Sequence, residues 1–259
     1  MPVTDLRLLT INALVRGDVR PRLRALGAIL EGSDYDIVCL QELLHRGSTR
    51  LLRRLTPSYG HRLASGFPLL HGGLSLLSRW PLLRRGFVRY PMTGPPRTEQ
   101  LMRKGAQVAV IDTPGGPLAV VNTHLSANRD GDWAPHNRYT RIARAELEAL
   151  AGIVAGLDPA LPLVVAGDFN VPRDSPAFTA FAAAAGLRDV LSGDTAPTYR
   201  PTARFPAPPA LDQVLVRSTQ DRPVAARARL VFQDAVALPG GREVYLSDHY
   251  GIAADLTIA

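Results

Sequence analysis

The segment LPLVVAGDFN, residues 161–170, constrains the fold more than any other part of the chain. Its aliphatic and β-branched residues are bounded by proline and glycine, a pattern that predicts a strand buried on both faces. Gly167 permits a sharp exit from that strand, and Asp168 and Asn170 then project on the same side of an extended chain. Because Asp, Asn and Gly are also common turn residues, this pair alone does not distinguish a ligand site from a turn.

Length and composition predict a globular protein with one domain spanning residues 1–259. The chain is 46% hydrophobic and can bury a large core, and it contains no evident linker, repeat or low-complexity tail. No window reaches the roughly 18 uninterrupted apolar residues of a transmembrane segment, and no signal peptide is evident. Cys39 is the only cysteine, which excludes an internal disulfide framework and a thiolate zinc cluster. We therefore expect a cytoplasmic protein.

The charge of the chain favours anionic partners. A formal net charge of +7 and a pI of about 10.1 suit nucleic acid, phosphorylated small molecules or an acidic membrane surface, and charge alone does not choose among them. Lys104 is the sole lysine among 30 basic residues. That bias makes Lys104 a candidate phosphate contact, although a solvated surface lysine is equally compatible with composition.

The chain is predicted to contain both strands and helices, with polar residues at the strand ends. Strands are predicted at 6–14, 36–41, on either side of Trp80-Pro81, and at 104–112, 118–124, 161–170, 211–216 and 251–258. Helices are predicted at 22–30, at 48–55, at 137–155 and from Ser175-Pro176 to Gly186. The segments 91–102 and 197–209 are predicted to be proline-bearing loops.

Eight polar residues lie at or beside the ends of separate predicted strands. Singly each has an ordinary alternative, such as a turn former or a solvated strand end. If they converge, they supply oxygen ligands for a hard cation and two imidazoles for proton transfer, with an aspartate next to a histidine. This is the composition of a metal-assisted phosphoester hydrolase. The eight residues are Asn12, Glu42, His124, Asp168, Asn170, Asp212, Asp248 and His249.

The motifs that carry these residues resemble the endonuclease/exonuclease/phosphatase superfamily. The matching pieces run in family order over nearly the whole chain: TINAL, CLQE, GGLSLLSRWP, NTHL, GDFN, LDQVLV and SDHY. The resemblance implies an α+β fold, a four-layer α/β/β/α sandwich in which two mostly antiparallel sheets pack face to face with helices outside. It also implies attack of water on a phosphorus centre with Mg²⁺ as cofactor, or Mn²⁺ as a substitute.

The same resemblance implies a role for each strand-end residue. Glu42, Asn12 and Asp248 would hold the metal. Asp168 and Asn170 would position water and phosphate, His124 would donate to the phosphoryl group, and His249, oriented by Asp212, would be the general base. Whether Asp168 or His249 is the base stays open at this point.

The Asn-x-His form of the NTHL motif is similar to sphingomyelinases, pancreatic-type deoxyribonuclease and inositol-phosphate phosphatases. Arg103-Lys104-Gly105-Ala106 and GGLSLLSRWPL resemble the neutral sphingomyelinase group. We therefore expect a phosphodiesterase or phosphatase acting on a phospholipid head group or small phosphoester, with peripheral membrane contact. A nuclease acting on DNA or RNA is the alternative, and a catalytically silent binding module is a third.

Four residues are candidate substrate contacts. Lys104 opens a strand beside the 91–102 loop, and Asn122 projects on the same side of its strand as His124. Trp133 lies in a polar loop, and Tyr199 lies in the proline-rich 197–209 loop. We expect both proline-bearing loops to rim the mouth of the site.

Overall fold

The computed structural model describes residues 3–14, 16–64, 71–94, 99–238 and 240–259. Within those ranges the longer strands form two six-stranded sheets. The first sheet contains β1 (Thr4–Asn12), β2 (Ile37–Gln41), β3 (His61–Ala64), β4 (Ser75–Ser78), β11 (Val224–Val231) and β14 (Gly251–Ile258). The second contains β5 (Leu82–Arg89), β6 (Gly105–Thr113), β7 (Gly116–His124), β8 (Leu163–Asp168), β9 (Arg188–Asp189) and β10 (Asp212–Arg217). A short ribbon pairs β12 (Val236–Ala237) with β13 (Glu243–Val244).

Each sheet has one parallel pair at its centre. The strand orders are β11-β14-β1-β2-β4-β3 and β5-β6-β7-β8-β10-β9, and the parallel neighbours are β1 with β2 and β7 with β8. The other pairs in both sheets are antiparallel. Because parallel neighbours end at the same edge of a sheet, the carboxyl ends of β1 and β2 lie together in the first sheet, and those of β7 and β8 lie together in the second.

The helices cover the outer faces of the sheets. The helices are α1 (Val19–Glu31), α2 (Arg46–Leu55), the single turn α3 (Glu99–Met102), α4 (Arg138–Ala155) and α5 (Pro176–Ala184). Leu8 and Val164 lie in the core between the sheets. Leu23 and Leu52 pack α1 and α2 on the first sheet, and Leu147 packs α4 on the second. These three apolar layers confirm the predicted four-layer sandwich.

Strong local signals gave accurate predictions. Strand β14 coincides with the predicted range, and α5 begins with Ser175 as its N-cap and proline at its first turn. The side chain of Asn137 caps α4 by accepting a hydrogen bond of 2.7 Å from the Tyr139 amide. The interior strand β8 is buried at all of its positions, as its apolar run predicted.

Three edge strands of the described sheets, β3, β9 and β11, were not predicted, and neither was the ribbon of β12 and β13. Each of the three edge strands pairs with a single neighbour, and their side chains are mostly half-buried or exposed, so none has the apolar run of an interior strand. The turn α3 lies within the segment predicted as loop, of which residues 95–98 fall outside the described ranges. Cys39 packs inside β2, where burial raises the pKa of its thiol to about 12. No helix in the described ranges combines the length and apolarity that a bilayer span needs.

Candidate active site

The strand ends meet around one cavity of about 940 Å³ at the end of the sandwich. Strands β1, β2, β7 and β8 reach it with their carboxyl ends, and the segment before β14 closes it from the side. Asp212, at the start of β10, lies behind the wall of the cavity. The predicted site residues that line the cavity are Asn12, Glu42, Lys104, His124, Asp168, Asn170, Tyr199, Asp248 and His249.

Asp168 is the centre of the cluster. One carboxylate oxygen, Oδ2, accepts a hydrogen bond of 3.0 Å from Asn12 Nδ2 and lies 3.3 Å from His124 Nε2 and 3.8 Å from His249 Nε2. The other oxygen accepts from the Asn170 amide at 3.0 Å. Burial opposes ionisation of this carboxyl, but the neighbouring His249 and His124 hold its pKa well below the usual range. Asp168 is therefore an anion at neutral pH.

Asp212 orients His249. Its Oδ2 lies 2.9 Å from His249 Nδ1, and both side chains are buried. This contact directs the other ring nitrogen, Nε2, towards Asp168 and the cavity. Burial lowers the pKa of His249, but the carboxylates of Asp212 and Asp168 outweigh that effect and raise it to about 10. When these carboxylates are the main charges near it, the His249 imidazole is protonated at neutral pH.

Lys104 is part of the wall of the site. Its ammonium lies 2.6 Å from His124 Nε2 and donates to the Leu125 carbonyl at 2.7 Å, and only 6% of the residue is exposed. Asn170 Nδ2 donates to the same carbonyl at 3.0 Å. The alternative of a solvated strand start is therefore wrong. Lys104, His124 and Asn170 form one connected wall.

Two predicted substrate contacts do not line the cavity. Asn122 is fully buried between the sheets, where it accepts from Gln41 Nε2 at 2.8 Å and donates to the Leu40 carbonyl at 3.1 Å. Trp133 donates from Nε1 to the Asn170 carbonyl at 3.2 Å. Asn122 thus joins the sheets and Trp133 supports the loop after β8, so neither is placed at the cavity, and their contact with substrate stays a prediction.

Glu42 follows β2 with its backbone in the left-handed region, at φ 63°. A non-glycine residue there is uncommon, and such conformations concentrate at functional sites. Gly73 makes room for it, since a Cβ on Gly73 would lie 3.1 Å from the Glu42 Cα atom. The Gly73 carbonyl also accepts from the Leu43 amide at 2.7 Å. The glycines of GGLSLLSRWP therefore allow the turn that brings Glu42 to the cavity.

Two buried or half-buried arginines that the sequence did not indicate hold the loops of the site. Arg22 donates to the Leu246 carbonyl at 2.8 Å and to the Leu14 carbonyl at 2.9 Å, which joins the loop after β1 to the segment before Asp248. Arg200 donates to the Ser247 carbonyl at 2.8 Å and stacks on the Tyr245 ring at 3.9 Å. In a chain so rich in arginine, no local pattern separates these two from the rest.

The oxygen atoms around Asp168 fit a hard divalent cation. Asn12, Glu42, Asp168 and Asp248 all line the cavity and offer the carboxylate and amide oxygens that Mg²⁺ prefers. Asp168, Asp212 and His249 also have atoms within 4.8 Å of one another. His249 Nδ1 is already bonded to Asp212, so Asn12, Glu42 and Asp248 are the residues that could hold a cation without using that pair.

The family model of the Endonuclease/Exonuclease/phosphatase family matches residues 9–249. That match covers every motif described above, from the strand that ends at Asn12 to His249. The chain therefore belongs to the endonuclease/exonuclease/phosphatase family, as its strand-end motifs predicted.

Curated relatives carry names from sphingolipid chemistry. The chain is 29% identical to the Inositol phosphosphingolipids phospholipase C of Schizosaccharomyces pombe, over 64% of this chain and 41% of the relative. It is 25% identical to the Putative neutral sphingomyelinase of Drosophila melanogaster, over 100% of this chain and 62% of the relative. The chain thus spans less than two thirds of the length of either relative.

Solved structures share the fold. Sphingomyelinase C from Streptomyces griseocarneus has a TM-score of 0.77 at 22% identity, covering 97% of this chain and 99% of that one. TDP2 from D. rerio, complexed with single strand DNA product, has a TM-score of 0.75 at 19% identity, covering 98% and 99% of the two chains.

Proposed function

We propose that this protein is a divalent-metal-dependent phosphodiesterase that uses water to cleave the head group of a phospholipid. The arrangement around Asp168 carries the proposal. A buried anion meets an asparagine and two histidines there, and one histidine is oriented by the Asp212 carboxylate. That arrangement can hold a phosphoryl group, deprotonate water and protonate a leaving oxygen.

We assign the role of general base to His249 and not to Asp168. The low pKa of Asp168 makes its carboxylate a weak proton acceptor at neutral pH. His249 has the opposite difficulty, because neighbouring carboxylates raise its pKa to about 10. Glu42, Asn12 and Asp248 would hold a divalent cation in the same cavity, and its positive charge would lower the pKa of His249. When bound, Mg²⁺ would supply Lewis-acid stabilisation of charge on the phosphoryl oxygens.

The remaining wall residues would bind and orient the phosphoryl group. Lys104 would place a compact positive charge beside it, and His124, in contact with Lys104 and Asp168, would donate a hydrogen bond or a proton. The side chain of Asn170 is held by the Leu125 carbonyl at the cavity surface. These groups are in place before substrate arrives, so little reorganisation is needed.

A lipid substrate is supported by the rim and by the names of the relatives. Met102 and Phe205 line the cavity, and Leu101 and Met92 are exposed and lie close to Met102 in the chain. Such apolar side chains suit contact with a lipid or amphiphile, which an enzyme with peripheral membrane contact would meet. Two curated relatives are named for sphingolipid phosphodiesterases. A beta toxin from Staphylococcus aureus, which has the same fold, has been solved with bound magnesium ions.

A nuclease is the second candidate. The net charge of +7 favours a polyanion, and TDP2 with single strand DNA product has the same fold. A nuclease would bind DNA with a steep dependence on salt, because phosphate contacts release counterions. A lipid phosphodiesterase would turn over sphingolipid in micelles and leave DNA intact.

The test is a hydrolysis screen with and without a chelator. The substrates are bis(4-nitrophenyl) phosphate, 4-nitrophenyl phosphate, sphingomyelin in mixed micelles, inositol phosphosphingolipid in mixed micelles, and single-stranded DNA. We expect turnover of diesters that requires Mg²⁺ or Mn²⁺, and a loss of roughly 10²–10⁴ in rate for His249→Ala. His136→Ala, an exposed histidine outside the cavity wall, is the matched control and should keep full activity.

Three results would contradict the proposal. The first is turnover that persists undiminished after exhaustive chelation. The second is near-normal activity of His249→Ala in a preparation with an unchanged melting temperature. The third is no turnover of any phosphoester, which would favour the silent binding module.

A further inference from the structure

Three exposed arginines line the cavity, and the proposed chemistry uses none of them. Arg16 comes from the loop between β1 and α1, Arg129 from the loop between β7 and α4, and Arg204 from the loop between β9 and β10. All three line the cavity, and all three are exposed. Three separate loops thus each bring one guanidinium group to one opening. We refer to Arg16, Arg129 and Arg204 as the rim arginines.

The backbone that carries each rim arginine is fixed by hydrogen bonds. Arg22 donates to the carbonyl of Arg16. Asn128 Oδ1, next to Arg129, accepts from the Gly131 amide at 3.0 Å. Arg204 lies inside a tight turn closed by the amide of residue 205 donating to the carbonyl of residue 202 at 3.1 Å. The three loops are therefore held in place while the long side chains stay exposed, which is suited to a binding site that is largely formed in advance.

Aromatic contacts join the loops of Arg129 and Arg204 to His249. The Phe205 ring stacks on Trp133 at 6.3 Å between centroids and contacts Tyr199 at 6.1 Å. Tyr199 in turn places its ring against His249 at 5.0 Å. These ring contacts thus hold the loops of Arg129 and Arg204 against the residues beside His249.

The charges divide into two zones. The acidic residues Glu42, Asp168 and Asp248 line the part of the cavity where the chemistry is proposed. In the proposed function, a cation and Lys104 balance their negative charge. At the rim, Asp130 lines the cavity, and its carboxylate already accepts from the Asp132 amide at 3.2 Å and from an asparagine amide at 3.1 Å. Three guanidinium groups then exceed the negative charge of the rim, and guanidinium groups recognise phosphate and carboxylate through paired donors.

We infer that the rim arginines form a subsite for a second anionic group of the substrate, one attached to the head group beyond the scissile phosphate. This inference rests on the proposed function and names its substrate class: lipid phosphodiesters whose head group carries an additional negative charge. A quaternary ammonium head group would face three positive charges at this position.

The test measures binding separately from turnover. Isothermal titration calorimetry, with Mg²⁺ in excess over ligand, compares propane-1,3-diol bisphosphate, propyl phosphate, phosphocholine and a short oligothymidylate. The variant is the triple substitution of the rim arginines by glutamine. The control replaces three exposed arginines outside the cavity wall, Arg24, Arg53 and Arg227, and lowers the net charge equally.

We expect wild type and control to bind the bisphosphate about tenfold or more tightly than propyl phosphate, a difference of about 1.4 kcal/mol. The rim variant should lose that preference and keep its affinity for propyl phosphate. An equal preference in the rim variant, or tightest binding of phosphocholine, would overturn the inference. The inference would also be overturned if the rim arginines raised the affinity for the oligothymidylate but not the affinity for the bisphosphate, since the subsite would then serve nucleic acid. Hydrolysis of bis(4-nitrophenyl) phosphate tests the proposed function independently of all these results.

Discussion

At the scale of single residues, burial and close contacts fix the side chains that form the site. Lys104 is the clearest case, because its ammonium sits between an imidazole nitrogen and a backbone carbonyl at 2.6 and 2.7 Å. The backbone of Gly72 crosses beside it, and a Cβ on that glycine would lie 3.4 Å from the Lys104 Cα atom. The backbone at Lys104 is thus closely packed, while its ammonium is held by these two contacts.

We predict that Lys104→Arg loses activity although the charge is kept, because the planar guanidinium is larger than the ammonium and needs a different contact geometry. Lys104→Met should lose more, by about 1.5–3 kcal/mol in transition-state stabilisation, the range for a charge-assisted hydrogen bond. The measurement is kcat/KM with bis(4-nitrophenyl) phosphate. Arg103→Lys, at the exposed neighbouring position, is the control and should be nearly neutral. Equal kcat/KM for wild type and both Lys104 variants would refute a phosphate contact.

At the scale of elements, the parallel pair β7 and β8 places His124 and Asp168 side by side in register. This approach depends on Gly167, whose backbone has φ 147°. A Cβ at that position would lie 2.0 Å from the Thr123 carbonyl oxygen, which is far inside van der Waals contact. The glycine of the GDFN motif therefore has a steric role between two interior strands.

We predict that Gly167→Ala destabilises the protein by about 3 kcal/mol or more, since the strands must separate or the backbone must strain. Urea denaturation followed by circular dichroism measures the free energy of unfolding. Gly152→Ala is the matched control. That glycine lies inside α4 with open space around its Cβ position, so alanine there should stabilise by about 0.5–1 kcal/mol. Similar unfolding free energies for the two variants would show that the close approach at Gly167 is not needed.

At the scale of the whole molecule, a polar network crosses the interface between the two sheets. Asn122 from the second sheet donates to the carbonyls of Leu40 and Ser75 in the first, at 3.1 and 3.2 Å, and accepts from Gln41. Gln107 Oε1 also accepts from Asn122 at 3.3 Å. Buried polar groups of this kind are costly unless they are paired, so they fix the alignment of the sheets. That alignment determines whether the active-site residues at the strand ends of the two sheets come together.

We predict that Asn122→Ala lowers the free energy of unfolding by roughly 2–4 kcal/mol, because it leaves several buried partners unsatisfied and opens a small cavity. Activity should fall together with stability and recover in part at lower temperature. If Asn122 contacted substrate directly, activity would fall with no change in the unfolding free energy. Denaturation curves and kcat/KM measured on the same preparation separate these two outcomes.

The sequence alone determined the features that depend on neighbours along the chain. Periodicity and capping predicted the interior strands and the helices α4 and α5. The ordered strand-end motifs predicted the family and most of the polar residues that line the cavity. Only the tertiary structure decided the rest. It placed Asn122 between the sheets, made Arg22 and Arg200 supports of the site, and brought the rim arginines of three distant loops to one opening. The physical reason is that burial and pairing across long sequence separations depend on how the sheets and loops pack, and no local pattern encodes that packing.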